Sequence, residues 1–488
     1  MGSGVGVRGV SALMAASMRF SEGAAARGFR LVVVPMIAIG LSGCILNSEH
    51  PDPGLEVPAA YETAPRKPDA ALPKPDWWRG FRSSELSDFI VEAQSDNLDI
   101  AVAVAQITQA EAQAGIAGAP LLPSLSGVGN AERMRSSGTL TSTFSLGLSA
   151  SYMLDFWGKN RAAFYSASET AIGSRYNRDV VALTTTVSVA NAYFQALAAL
   201  DQLQVARNNL SAANRILDLI RKQMAGGTAS QLQLSQQEAL VGQVKASIPP
   251  LQVTLKQNLA ALAVLLARPA TGFRIKGTSL SRITMPRVTP GLPSELLTRR
   301  PDIALAEAQL ASSNFSVESA RAAFFPQITL TGTTGFQSNS LSSLFVPGAW
   351  YYTMAAGLAQ PIFNGFQLEN QLKQAQGVQL QYLQSFRKAV VSAFSDVEVA
   401  LVTLQQTTQQ LQLQGQVVAS SRKAFEVAET QLRGGTADLV SVLQTQQTLF
   451  TAETTLAQVR LSRMLAVTSL FQALGGGWSE PPASLKGQ

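Results

Sequence analysis

The chain has 488 residues and a formal net charge of +6, with 46% hydrophobic but only 14% charged residues, against about a quarter charged in ordinary globular proteins. Half of the positive excess sits in residues 1–43, as Arg8, Arg19, Arg27 and Arg30 against Glu22; no Lys/Arg cluster is interleaved with aromatic residues, so nucleic acid is a poor partner. One Cys (Cys44) and one His (His50) exclude disulfide frameworks, zinc clusters and His-centred acid–base catalysis within one chain.

The front end reads as a leader. Arg27 and Arg30 precede an apolar run from Leu31 to Ile39, which is too short to cross a bilayer as a helix. Leu41-Ser42-Gly43-Cys44 matches the lipoprotein signal pattern, with residues 1–43 as signal peptide and Cys44 as the acylated new N-terminus. A start at Met18 would leave a leader of ordinary length. Ile45 in place of Asp fits release to the outer membrane. Acyl chains contribute about 0.8 kcal/mol per buried methylene, so several of them anchor stably. Residues 44–76 are Pro-rich and aperiodic, and read as an extended tether.

Two copies of one plan follow. A helix over about 84–118 ends at "AGAPLLPSLSGVG", and another over about 301–323 ends at "ARAAFFPQITLTGTTG". Pro123 and Pro326 each stop a helix and introduce an alternating, strand-like stretch. A second strand comes in each copy, at 142–154 and 350–363. Gly-containing loops, "DFWGKNR" and "FNGFQLEN", then lead into very long helices, about 159–224 and 369–432. In the first, Ile172, Tyr176, Val180, Leu183, Val187, Ala190, Phe194 and Leu197 step by four and three, a coiled-coil rhythm. Each long helix is on the order of 100 Å, far beyond what a globular core needs. Return helices are expected over about 229–267 and 437–474, with a kink or restart at Pro249-Pro250.

The domain plan is therefore a first repeat over 77–270, a connection over 271–300, a second repeat over 301–475 and a tail over 476–488. The fold class is mainly α with a membrane β-barrel, each protomer supplying four strands and six helical segments; strand alternation alone also allows a small soluble sheet capping a helical bundle, and the lipidation signal favours the membrane. Four strands cannot close a barrel, and open edges are not tolerated in lipid. Three protomers would supply twelve strands, continuous with a long α-helical barrel.

"GLPSELLTRRPDIALAEAQL" followed by "ARAAFFPQITLTG", with "DFWGKNR", "QPIFNGF" and "GGTADLVSVLQTQQTLFTAE", resembles TolC-like outer membrane factors. The branch it resembles is the NodT-like lipoprotein one that serves resistance-nodulation-division efflux systems. The resemblance spans about residues 77–475. It implies a homotrimeric channel-tunnel, lipid-anchored in the outer membrane with its helices in the periplasm. It also implies a passive exit duct of a tripartite efflux pump for small molecules such as drugs. The implied partners are outer membrane lipid, a periplasmic adaptor and an inner-membrane resistance-nodulation-division transporter. The alternatives are the exit duct of a type I protein secretion system and a non-channel periplasmic coiled-coil scaffold.

In the family, two helix-turn-helix tips meet the adaptor. The matching turns are Gly226-Gly227-Thr228 after Ala225, and Arg433-Gly434-Gly435-Thr436. Glycine there ends a helix and admits a close partner; Thr228 and Thr436 would cap the following helix or face the partner. The family often carries an Asp ring near the positions of Ser441 and Gln444, and Asp438 is the nearest carboxylate. Asp438, Ser441 and Gln444 are the candidate constriction, with less cation selectivity expected than in acidic relatives. Arg299, Arg300 and Asp302 around Pro301 read as a helix start with structural ion pairs. Trp350, Tyr351 and Tyr352 fit an interfacial aromatic belt. No phosphate-binding loop, nucleophile elbow or catalytic carboxylate pair is present, and no cofactor or metal is expected.

Overall fold

The computed structural model describes residues 54, 55, 58, 61, 62, 74–286, 288 and 293–479. Cys44 and its leader lie outside the described residues. Among those described there are seven α-helices and four strands, in the order α1 Ser84–Asp96, α2 Leu98–Gly118, β1 Ser124–Ser136, β2 Thr139–Leu154, α3 Lys159–Ala225, α4 Gln231–Leu265, α5 Pro301–Ala322, β3 Gln327–Ser338, β4 Trp350–Ala359, α6 Gln367–Arg433 and α7 Leu439–Ala473. The four strands lie where expected, although β2 starts three residues before 142 and β4 ends four residues before 363; the long helices end within two residues of expectation.

Two helical expectations need correction. The span 84–118 is two helices broken at Asn97, not one. Asn97 ends α1 in extended backbone, and its Oδ1 accepts the amides of Asp99 and Ile100 at the start of α2. Its Nδ2 donates to Leu265 O at 2.8 Å. A buried Asn that satisfies three partners makes a break which periodicity does not show. Conversely, Pro249-Pro250 does not restart the helix: both sit inside α4. The carbonyls that lose their donors are those of Lys245 and Ala246, which share the exposed face with the prolines, so water can satisfy them.

The helices pack in one lateral order at two levels. Next to the strands it is α2–α3–α5–α6, and next to the Gly-Gly turns it is α4–α3–α7–α6. The sheet repeats the order as β1–β2–β3–β4, antiparallel throughout. Each strand continues a helix of the same rank, so α2 runs into β1, β2 into α3, α5 into β3 and β4 towards α6. The edges left free are therefore β1 with α2/α4 on one side, and β4 with α6 on the other.

The largest core lies where the two helical levels meet. Trp77, Phe81, Phe89, Tyr193, Phe194, Leu197 and Phe471 form it, with Trp77 stacked on Phe471 at 4.5 Å. Glu85 ties the inter-repeat connection to this core. It accepts the amides of Lys276 and Gly277 at 2.6 and 2.8 Å and the Tyr193 hydroxyl at 2.9 Å. Arg300 pairs with Asp302 at 2.7 Å and Asp396 at 3.0 Å and donates to Ala473 O, the structural role expected of it; the ion pairs found among the described residues do not include Arg299. Helix α3 contains a window apolar enough to cross a bilayer, but 56% of that window is buried against the chain's own helices, where the heptad stripe places it.

Candidate functional site

The two tips are built alike, atom for atom. At the first, Gly227 has φ +72°, its amide donates to Met224 O at 2.9 Å, and the Thr228 amide donates to Gln223 O at 2.8 Å. At the second, Gly435 has φ +71°, its amide donates to Leu432 O at 3.1 Å, and the Thr436 amide to Gln431 O at 2.9 Å. Both are Schellman ends, in which a left-handed residue turns the last free carbonyls onto amides beyond the helix. The threonines do not cap the next helix. Thr228 Oγ1 and Thr436 Oγ1 donate backwards, to Gln223 O and Gln431 O at 3.0 and 3.2 Å. Ser230 caps α4 in a reciprocal box with Gln233, and Asp438 caps α7.

Within each pair the glycines differ. Gly227 and Gly435 occupy left-handed backbone. Gly226 and Gly434 have ordinary φ of −85° and −80°, and a Cβ on either would meet its nearest atom at 3.6 Å. The chain's own fold does not require them. All four lie exposed, as a close-approaching partner helix would need. Arg433 is drawn back along its own helix to Glu429 at 2.6 Å.

The residues expected at a constriction lie at the start of α7. Asp438 Oδ1 accepts the Ser441 amide at 2.9 Å. Hydrogen bonds from the Ser441 side chain and backbone hold its carboxyl below the usual range. Asp438, Ser441 and Gln444 are all exposed in one chain, on the face turned away from the buried contacts of Leu439, Val442 and Gln446.

Sequence reasoning missed a polar set behind the tips. Gln446, 2% exposed, donates to Asn209 Oδ1 at 2.9 Å, joining α7 to α3. Gln237, fully buried, donates to Ala213 O at 2.8 Å, joining α4 to α3. Each leaves its own Oε1 buried without a partner. The signal was available: Leu234, Gln237, Val241 and Leu439, Val442, Gln446 step by three and four, so each glutamine holds a place in an apolar stripe.

At the opposite end, strand register sorts the sheet into two faces. Opposed residues share a face in an antiparallel pair. One face carries Leu125, Phe144, Leu146, Leu148, Tyr152, Ile328, Leu330, Phe336, Trp350, Tyr352, Met354 and Leu358. The other carries Ser145, Ser149, Ser151, Thr329, Thr331, Thr333, Gln337 and Thr353. This is the apolar-out, polar-in pattern of a membrane barrel. Trp350 and Tyr352 lie 5.4 Å apart on the apolar face. Tyr351 is on the polar face and does not belong to the belt expected of it. On the polar face Gly147 and Gly335 stand opposite each other; a Cβ on either would come within 2.4 Å of the facing strand's carbonyl oxygen. Among the described residues no group of His, Cys, Asp and Glu could hold a metal.

Comparison with known proteins agrees with this geometry. The sequence profile of the family described as Outer membrane efflux protein matches residues 89–268 and 292–476. Pyoverdine export outer membrane protein OpmQ of Pseudomonas putida is 39% identical, over 90% of this chain and 96% of its own length. The probable outer membrane lipoprotein SilC of Salmonella typhimurium is 29% identical, over 90% of this chain and 97% of its own. The open-state crystal structure of the Neisseria gonorrhoeae MtrE outer membrane channel superimposes with a TM-score of 0.80 at 27% identity, covering 88% of this chain and 98% of that one.

Proposed function

The chain belongs to the outer membrane efflux protein family, whose members are channel proteins, and from that premise we propose that it is the passive exit duct of a tripartite pump for small molecules. The observation that carries the reading is the shared lateral order of sheet and helices. Both levels of the wall and the sheet run in one sequence and leave complementary edges, β1 with α2/α4 and β4 with α6. An arrangement that pairs one edge with the opposite edge of the next copy is heterologous, and it closes as a ring if the rotation per subunit permits. Three copies would give a twelve-stranded barrel with no edge exposed to lipid. Apolar residues exposed on both edges, Val102 and Ile116 on α2 and Val391 and Val399 on α6, support packing of this kind.

The barrel's Ser/Thr-lined face would form the lumen, wet and almost uncharged, offering a solute little to hold. Transporter choice rather than duct chemistry then sets the substrate. OpmQ, by its name, exports pyoverdine, and this chain would carry cargo of comparable, small-molecule size. Cys44 would carry the lipid anchor. The tips at Gly226-Gly227-Thr228 and Arg433-Gly434-Gly435-Thr436 would receive the helical hairpin of a periplasmic adaptor, which links the duct to an inner-membrane resistance-nodulation-division transporter. Opening would spread the tips like an iris, with Asp438, Ser441 and Gln444 at the narrowest point.

Two measurements test this. The purified protein should have the native mass of three chains and conduct ions in planar bilayers once the tips are loosened. A deletion strain should become sensitive to small toxic compounds, with the adaptor recovered on the tagged wild-type chain. Absence of any channel from a well-formed trimer would overturn the duct.

A further inference from the structure

We propose that Arg133 and Arg135 form a binding site for the phosphate groups of anionic lipid headgroups, at the outer rim of the sheet's apolar face. The proposal rests on the reading of that face as lipid-facing.

Register fixes where these two side chains lie. Arg133 stands opposite Ser142 and Arg135 opposite Leu140. They share the face of Leu125, Ala131, Phe144 and Leu146, while Glu132 between them belongs to the polar face. The last fully apolar rung is Ala131 with Phe144; Arg133 lies one rung beyond it and Arg135 two. The apolar face runs along β2 from Leu154 to Phe144. At about 3.4 Å per residue and a tilt of about 40°, that stretch is roughly 26 Å high, against about 25 Å for the apolar band of such barrels. The first guanidinium therefore falls at headgroup level, on the strand end remote from the helices. There an arginine costs little, whereas at the midplane it is strongly destabilising.

The sheet's apolar face and the connections at this end offer no acid, among the described residues, to neutralise them. Both arginines are exposed. Every outward-facing position of β1 to β4 is free of Asp and Glu, and the 339–349 connection at the same end contains no acid. In a closed ring the strand beside β1 would be the β4 of the next copy, whose outward face is Trp350, Tyr352, Met354, Ala356 and Leu358, also without acid. The site is also held firmly. Ser136 pairs with Thr139 across a two-residue turn, with Ser137 at φ +49° and Gly138 at φ +84°, so the arginines ride on paired strand and not on a loose loop. Two planar forks about 7 Å apart on one face suit phosphate oxygens, which they can grip bidentately.

The test uses the full trimer in phosphatidylcholine nanodiscs, with and without bisphosphorylated lipid A, dephosphorylated lipid A or phosphatidylglycerol. Retained lipid is counted by native mass spectrometry. Wild type should keep phosphorylated lipid about tenfold more tightly than Arg133→Gln/Arg135→Gln. The double Arg→Lys variant should fall between them, and Glu132→Gln, on the other face, should match wild type. Dephosphorylated lipid A should bind the wild type and the double Gln variant alike. Equal retention by wild type and double Gln variant, or full displacement by millimolar inorganic phosphate, overturns the lipid site. Conductance of the same double Gln variant, measured with the tips loosened, separates this from the duct reading: a normal channel with unchanged lipid retention sinks only the site, whereas no channel from a tip-loosened trimer with wild-type arginines sinks the duct.

Discussion

At the tips, each Gly-Gly pair divides its labour, and single substitutions can separate the parts. Gly227→Ala and Gly435→Ala force a left-handed backbone on a Cβ and should each cost about 1–2 kcal/mol, read as a lower midpoint in thermal unfolding. Gly226→Ala and Gly434→Ala should leave that midpoint unchanged or raised, because their φ is ordinary and a Cβ fits. If adaptor contact is what those glycines serve, the second pair should nonetheless lose adaptor binding. Asp438 can be dissected the same way. Asp438→Asn keeps a capping oxygen for the Ser441 amide and removes the charge; Asp438→Ala removes both. Amide exchange at Ser441 should quicken in the Ala variant and stay near wild type in the Asn variant. Reversal potentials in a salt gradient then report the charge alone, and only a slight change is expected on Asp438→Asn. Burial, with the negative charge of Glu85 adding to it, pushes the Tyr193 hydroxyl up to about 12. The unfolded chain releases that proton near pH 10 and the folded one does not, so stability should fall as pH rises from 10 to 12. The fall should be weaker in Tyr193→Phe. Of these residues, the turns were legible because glycine has few other reasons to occur twice before a matching helix. The backward bonds of Thr228 and Thr436 were not, since a hydroxyl there can reach either helix and only backbone geometry decides.

At the level of elements, the long helices were readable to within two residues because a heptad stripe sustained over dozens of positions has no competing interpretation. Boundaries set by a single side chain were not. The break at Asn97 depends on a carbonyl from Leu265, supplied by a helix far along the chain. Asn97→Ala should cost about 2 kcal/mol, combining a lost cap with a buried carbonyl left unpaired. Asn97→Asp should keep the cap and still lose the bond to Leu265. Chemical denaturation of both variants distinguishes the two losses. The prolines of α4 illustrate the converse: a residue that breaks helices in isolation is tolerated where its orphaned carbonyls face water. Strand alternation was legible as a pattern, but which of Trp350, Tyr351 and Tyr352 lies on the apolar face needed the register, because three aromatics in a row satisfy either phase.

At the scale of the whole molecule, the duplication was visible in sequence, while the lateral order of the helices was not; that order comes from α3 packing between two partners at each level. Its consequence is stoichiometric. In a ring joined edge to opposite edge, every subunit is indispensable to two joints, and no neighbour can substitute for a missing side. A variant whose α6 edge is made charged, for example by Val391→Asp with Val399→Asp, should still fold as a chain, because both positions are exposed within it. Co-expressed in equal amount with wild type, it would leave only about one ring in eight made wholly of intact edges, if three subunits assemble at random. Efflux should then fall far below half, measured as drug susceptibility against expression ratio, so an edge defect that still enters the ring behaves as a dominant trait rather than a recessive one.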